Sequence, residues 1–273
     1  MRNSTLNSSA RRQPQLTLGF STMAGRMESL IDMLEKLGEV AGVEILVVIQ
    51  GEDEKLPACL DFVTTVFDSQ LGLSHSRNLV IENSHGQYIW FLDDDVVIEQ
   101  DNLNDLLQLI ASESNSQVFR AQIGCLENRG NYYKPYATNK VLKRLQLLQV
   151  SSIELIVQRQ FIIDHNIRFN EKLGLGTPLP ATEEVNFLLD IESVDGSIIN
   201  LNQILIYHTC HEQGRLLACD GIFKARGATA SRFGVLGPLL LLRWGWRYFL
   251  RYRQLSYVKS LIRGYYQGYQ ALL

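Results

Sequence analysis

An α/β fold built on a mostly parallel sheet flanked by helices is expected from three features of the sequence. Short apolar runs alternate with amphipathic stretches from Leu16 onward, the pattern of strand and helix units that build such a sheet. Val43 to Ile49 is so uniformly apolar and β-branched that it suits a central strand buried on both faces. The apolar run Tyr88 to Leu92 ends in three consecutive carboxylates, and the carboxyl ends of strands are where open parallel sheets place their ligands.

Taken in order, Leu16 to Phe20 reads as the first strand. Met27 to Leu37 sets Leu30, Ile31, Leu34 and Leu37 at helical spacing, with Gly38 or Gly42 to end the helix. Val43 to Ile49 and Phe62 to Phe67 follow as strands, then a helix from Ser74 to Asn83 with Ser74 as its cap, then the strand Tyr88 to Leu92. Farther on, Val118 to Gly124, Leu147 to Val157 and Ser197 to His208 read as strands and Glu183 to Asp190 as a helix. From Leu236 a basic, aromatic helical tail is expected, interrupted by Gly245, Gly264 and Gly268.

A chain of 273 residues, 46% of them hydrophobic, can bury one large core. The domain reading is a disordered leader over residues 1–14, one α/β domain over 15–220 and the tail over 221–273. Asn, Ser and Arg dominate the leader, which lacks the apolar core of a signal peptide. Cys59, Cys125, Cys210 and Cys219 are widely spaced and do not read as a disulfide framework, so a reducing cytoplasm is the default. No stretch reaches the ~20 apolar residues of a membrane span; Val235 to Leu242, with Gly237 and Pro238, is the longest near the tail.

The formal net charge of −3 conceals a division. Residues 221–273 carry nine Lys or Arg and no Asp or Glu, leaving 17 basic residues against 29 acidic ones before them. Arg243, Arg247 and Arg251 recur every four residues among Trp244, Trp246, Tyr248, Phe249, Tyr252 and Tyr257. That mixture suits a peripheral anchor on an anionic membrane surface; a helix covering the domain, its arginines solvated, is the competing reading. Nucleic acid is not an expected partner, because the body is acidic.

Asp93, Asp94 and Asp95 would repel one another unless a cation or hydrogen-bond donors compensate them. A hard divalent ion such as Mg²⁺ or Mn²⁺ suits carboxylate and phosphate oxygens. His208, Cys210, His211 and Cys219 could be read as zinc ligands, but their spacing fits no common site. Strand-Asp93-x-Asp95 also matches the nucleophile motif of haloacid-dehalogenase-like phosphatases, although there it usually closes the first strand, and here three strand candidates precede it.

Two blocks together resemble a known family. Gly72-Leu-Ser-His-Ser-Arg-Asn-Leu followed by Gly86-Gln-Tyr-Ile-Trp-Phe-Leu-Asp-Asp-Asp-Val, then Phe169-Asn-Glu-Lys-Leu-Gly-Leu-Gly followed by Thr182-Glu-Glu-Val-Asn-Phe-Leu-Leu, are similar in order and distance to the core of family-2 glycosyltransferases of the GT-A fold. Tyr207-His208 resembles that family's late Tyr-His.

The resemblance implies an inverting transfer from a nucleoside-diphosphate sugar, with a UDP-sugar the expected donor, to a hydroxyl of a glycan or lipid-linked acceptor. By similarity Asp95 ligates Mn²⁺ or Mg²⁺ with His208, Asp93 contacts the ion or the ribose, and Asp94 orients its neighbours. Phe20, Ser21 and Thr22 are placed as a loop beside the base or ribose, and Arg77 on the nucleotide, while Asn78 only caps or packs. Glu52 or Asp53 stands in for the family's base-reading Asp. Glu184 occupies the usual position of the base, with Glu183 beside it; Glu for Asp leaves the assignment open between the two. A non-catalytic sugar-binding protein of the same fold is a further alternative. The expected location is the cytoplasm, with the tail on the cytoplasmic face of the inner membrane.

Overall fold

The computed structural model describes residues 13–113, 116–210 and 218–268. Its first half alternates strand and helix: β1 (Leu16–Met23), α1 (Glu28–Leu37), β2 (Val43–Gln50), β3 (Thr64–Asp68), α2 (Leu73–Asn83), β4 (Tyr88–Asp93), α3 (Gln100–Ser112) and β5 (Val118–Cys125). Then come β6 (Leu155–Gln158), α4 (Arg159–Asp164), α5 (Glu183–Ser193), β7 (Ile198–His208), α6 (Asp220–Ser231), α7 (Gly237–Tyr252) and α8 (Leu255–Gln267). Seven strands form one sheet in the order β3-β2-β1-β4-β6-β5-β7. Only β6 runs against the others.

Alternation along the strands divides the core in two. Leu16, Leu18, Phe20, Ile45, Val47, Ile49, Tyr88, Trp90 and Leu92 face one side, under α1 and α3. Leu46, Val48, Ile89 and Phe91 face the other, under α2 and α5. Each such side chain, fully buried, contributes roughly 1.5–3 kcal/mol, so the period of two fixes the strand register.

Because six strands are co-directional, the ends of β1, β2, β3, β4 and β7 share one edge of the sheet. Past that edge Val97 and Tyr207 exchange both backbone hydrogen bonds, 2.9 Å each, which draws the acidic triplet to the end of β7. The parallel pairing of β5 and β7 sets Cys125 opposite His208, and Cys125 is disulfide-bonded to Cys210 with Cα atoms 5.3 Å apart. The expectation of unpaired cysteines is therefore corrected for these two, and cysteine usage no longer argues for a reducing compartment.

Two expected elements differ, and a further helix was not expected. Leu147 to Val157 is a strand only from Leu155; before it lie 3-10 turns at Arg144–Gln149 and Ser152–Glu154. There Ser151 N–H donates to the Glu154 carboxylate (2.8 Å) and Glu154 N–H to the Ser151 carbonyl (3.0 Å), a reciprocal pair that favours a turn over extension. α2 begins at Leu73 with Gly72 as its cap, so Ser74 does not cap; its hydroxyl instead donates to the Leu173 carbonyl at 2.7 Å. The α3 helix, which buries Leu103, Leu106 and Ile110, went unread. Most of the expected leader, residues 1–12, lies outside the described residues; Pro14 accepts a backbone hydrogen bond from Gln87.

The C-terminal helices start earlier than Leu236 and pack on the sheet domain. Gly245 and Gly264 lie inside α7 and α8 and interrupt neither; Gly268 caps α8. Gly227 and Gly264 are where α6 and α8 cross: a Cβ at the first would collide with the Leu261 carbonyl, and at the second with the Lys224 carbonyl. Gly264→Val is expected to push the helices apart and lower the stability measured by urea unfolding by about 1–3 kcal/mol; an unchanged midpoint would show that the crossing relaxes freely.

Candidate active site

At the shared sheet edge the three carboxylates diverge to different partners. Asp93 accepts from Arg77 (3.1 Å). Asp94 accepts from the Thr22 hydroxyl (2.7 Å) and pairs with Arg26 at 3.6 Å. Asp95 faces His208 Nε2 at 3.3 Å. His208 Nδ1 lies 2.9 Å from the Thr209 carbonyl, which only accepts, so Nδ1 carries a proton. Their hydrogen bond holds the Asp95 carboxyl below its ordinary range against the effect of burial, and raises His208 above its own.

Arg77, on α2, is buried to 1% exposure. Its Nη1 donates to Glu183 Oε1 (3.1 Å), and its Nη2 to Asp93 (3.1 Å) and to the Ser152 hydroxyl (2.6 Å). The Phe169 ring lies 5.5 Å from the guanidinium. Desolvation alone would lower the Arg77 pKa, but Asp93 and Glu183 raise it, so it stays a cation. Ser152 is held by the turn around Glu154, whose buried carboxylate takes Arg120 (3.2 Å), Lys134 (3.0 Å) and the Tyr136 hydroxyl (2.7 Å). α2 also fixes the loop ahead of α5: Asn78 donates to the Phe169 carbonyl and accepts from its N–H, both at 2.9 Å.

The N-terminus of α5 presents Glu183 and Glu184. Its cap, Thr182, has φ +71°, a conformation that costs a β-branched residue roughly 1–3 kcal/mol. α6 and α5 supply the restraint: Thr229 donates to the Thr182 hydroxyl (2.9 Å), Asn186 to the Thr182 carbonyl (2.8 Å), and Arg232 binds Asp190 (2.6 Å). Glu183 is engaged by Arg77; Glu184 is not. Burial, then the Glu183 charge beside it, pushes the Glu184 carboxyl up to about 8. Both line a cavity of 790 Å³ together with Asp93 and Arg77, and residues of α6 and α7 also line it.

The chain matches the family model described as glycosyl transferase family 2 over residues 22–170, more than half its length. It belongs to glycosyl transferase family 2. No curated protein matches it by sequence. Among solved structures it is similar to residues 1–349 of S. aureus TarS in complex with UDP-GlcNAc, with a TM-score of 0.63 and 14% identity over 92% of this chain and 79% of that one. The complex of the same TarS fragment with UDP gives 0.60 and 15% over 88% and 73%. A longer TarS chain gives 0.61 and 17%, with 86% of this chain covering 43% of that one. The shared fold is GT-A. The phosphatase alternative has no support: the triplet closes the fourth strand of the sheet, not the first.

In this transferase the expected site residues separate into two groups. Asp93, Asp94, Asp95, Arg77, His208, Glu183 and Glu184 converge through the contacts above. Phe20, Ser21 and Thr22 lie within β1 rather than in a loop. The Phe20 side chain is fully buried in the core, so its expected place beside a ligand is corrected; Ser21 accepts from Ser76 at 2.8 Å. Arg77 is no surface residue. Glu52 and Asp53 are exposed after β2. Cys210 is in the disulfide and Cys219 precedes α6, which removes the zinc reading among the described residues; His211 lies outside them. Ser152, Thr229 and the cavity-lining arginines Arg226, Arg247 and Arg251 were not read as site residues.

Arg77→Met should strand the buried Glu183 carboxylate and leave the partly exposed Asp93 without its cation; losing one partner of a buried pair costs about 3–5 kcal/mol, and the 36% exposure of the Asp93 side chain moves the expected loss to the lower end of that range. Denaturant unfolding is the measurement; a loss below about 1 kcal/mol would mean that the clamp does not hold β4 and α5 together.

Proposed function

We propose that the transferase moves a sugar from a UDP-sugar to an acceptor hydroxyl in a single inverting displacement, with Glu184 as the base. The observation that carries this reading is the position of Glu184. It stands in the cavity beside Arg77 and Asp93, free of the clamp that occupies Glu183, and its raised pKa suits proton abstraction near neutrality. As Glu184 takes the hydroxyl proton, the acceptor oxygen bonds to the anomeric carbon and the bond to the diphosphate breaks on the opposite face. Glu183, held by Arg77, is the positioning residue.

Asp95 and His208 fit a divalent cation. A carboxylate oxygen and an imidazole nitrogen face each other at 3.3 Å with the opposite ring nitrogen already hydrogen-bonded, the arrangement of a metal-ligating histidine. Asp93 is drawn away by Arg77, and among the described residues no three His, Cys, Asp or Glu side chains converge as a metal site. Bound Mn²⁺ or Mg²⁺ would supply Lewis-acid stabilisation of the departing diphosphate. A UDP donor is favoured by the similarity to TarS, whose structures hold UDP and UDP-GlcNAc.

Calorimetry with UDP, with and without Mn²⁺, combined with turnover assays, tests these assignments. Asp95→Ala should abolish the metal-dependent part of UDP binding. Glu184→Gln should keep UDP affinity and lose about 10²–10⁴ in kcat. Because the Glu184 carboxylate is the active form, wild-type kcat/KM should rise with pH towards about 8. Retained turnover in Glu184→Gln would remove it as the base.

The tail also favours a membrane surface as partner. Val235, Leu239, Leu242 and Trp246 follow one face along α7 and the turn before it, exposed by 91%, 61%, 72% and 67%, beside the basic stripe of the same segment. No described helix is long and apolar enough to cross a membrane. The protein should float with phosphatidylglycerol vesicles, and Leu242→Glu/Trp246→Glu should stay at the bottom of the gradient; equal flotation of both would refute this surface.

A further inference from the structure

The lining of the catalytic cavity is in part basic. Arg226 of α6 and Arg247 and Arg251 of α7 line it together with Asp93, Glu183 and Glu184. Asp93 and Glu183 are engaged by Arg77, and the three wall arginines have no carboxylate partner among the described residues. Arg226 donates to the Tyr248 hydroxyl at 2.8 Å and Arg251 lies 5.4 Å from the Tyr252 ring; Arg247 has no hydrogen-bond or ion-pair partner among the described residues. An acid-free segment thus places on this cavity three cations that have no carboxylate partner among the described residues, and an anion bound between them would relieve their mutual repulsion.

The wall does not end at the cavity. Arg247 and Trp244 also line an adjoining hollow of 290 Å³ together with Arg243, so the row of positions 243, 247 and 251 extends along α7 past the base. A neutral hydroxyl acceptor can take hydrogen bonds from such a row but brings it no counter-charge. Phosphate oxygens do, because guanidinium forks match them in geometry and charge.

We propose that the acceptor is a phosphate ester and that Arg226, Arg247 and Arg251 bind its phosphate oxygens, setting the accepting hydroxyl before Glu184. The proposal rests on the transferase reading above. The phosphate remains intact: the new bond joins the hydroxyl oxygen to the anomeric carbon, the hydroxyl proton goes to Glu184, and the nucleoside diphosphate departs. Two sources share this chemistry, a lipid diphosphate carrying a sugar and a soluble phosphodiester glycan.

The test first titrates UDP with Mn²⁺, which reports on the donor reading by itself. Protein saturated in that way is then titrated with farnesyl diphosphate and with glycerophosphoglycerol, with farnesol and glycerol as uncharged controls. At least one phosphate probe should bind more tightly than its control, and Arg247→Gln/Arg251→Gln should weaken it by about tenfold or more with UDP affinity unchanged. Preference for the first probe assigns the lipid source, and preference for the second the soluble one. If neither exceeds its control, or if the double variant binds as well as wild type, the proposal falls. Should the double variant fail to fold, Arg247→Gln alone, at an exposed helix position, gives the same comparison.

Discussion

The buried guanidinium of Arg77 is the interaction on which the rest of the site depends. Asp93 ends a strand and Glu183 begins a helix, 16 and 106 residues from Arg77 in sequence. The buried Glu183 carboxylate needs a cation, and Arg77 supplies it and holds the partly exposed Asp93 as well, with two donors at 3.1 Å. One residue thereby sets the distance between the carboxylate-bearing edge of the sheet and the start of α5. It also sorts the two glutamates: the clamped one stays in place, while the unclamped one is left desolvated beside a like charge, which raises its pKa.

The C-terminal segment is part of this arrangement. α6 restrains Thr182 in its left-handed conformation through Thr229, and α7 closes the cavity. The crossing of α6 on α8, close enough to demand glycine on both helices, holds that wall. The charge division along the chain then acquires a spatial meaning, because the basic segment and acidic groups of the body line one cavity. Its outward face remains apolar, so one helix pair presents two chemistries, towards the cavity and away from the domain.

Much of the fold was legible because burial on both sides leaves an imprint at short range. Val43 to Ile49 and Tyr88 to Leu92 read as strands from their apolar runs, one residue short of where each ends at Gln50 and Asp93, and α1 from its helical spacing. The stretch before β6 misled because Leu147, Val150 and Ile153 are all buried, yet a turn rather than a strand places them there. Of the site, the acidic triplet, Arg77, Glu183, Glu184 and His208 were legible through ordered motifs. Ser152 and Thr229 were not: a lone hydroxyl carries no local signal, and each acquires a role only from a partner 75 or 47 residues away.

What the sequence determined by itself is the set of elements and the chemistry at their ends, since periodicity and residue type are local properties of the chain. The tertiary structure decided which ends meet. It joined Cys125 to Cys210 through the pairing of β5 with β7, put Phe20 in the core, and turned the basic segment onto the cavity that Glu183 and Glu184 line. Those outcomes follow from strand order and helix packing, which depend on how surfaces far apart in the chain fit together and which no spacing within a single segment encodes.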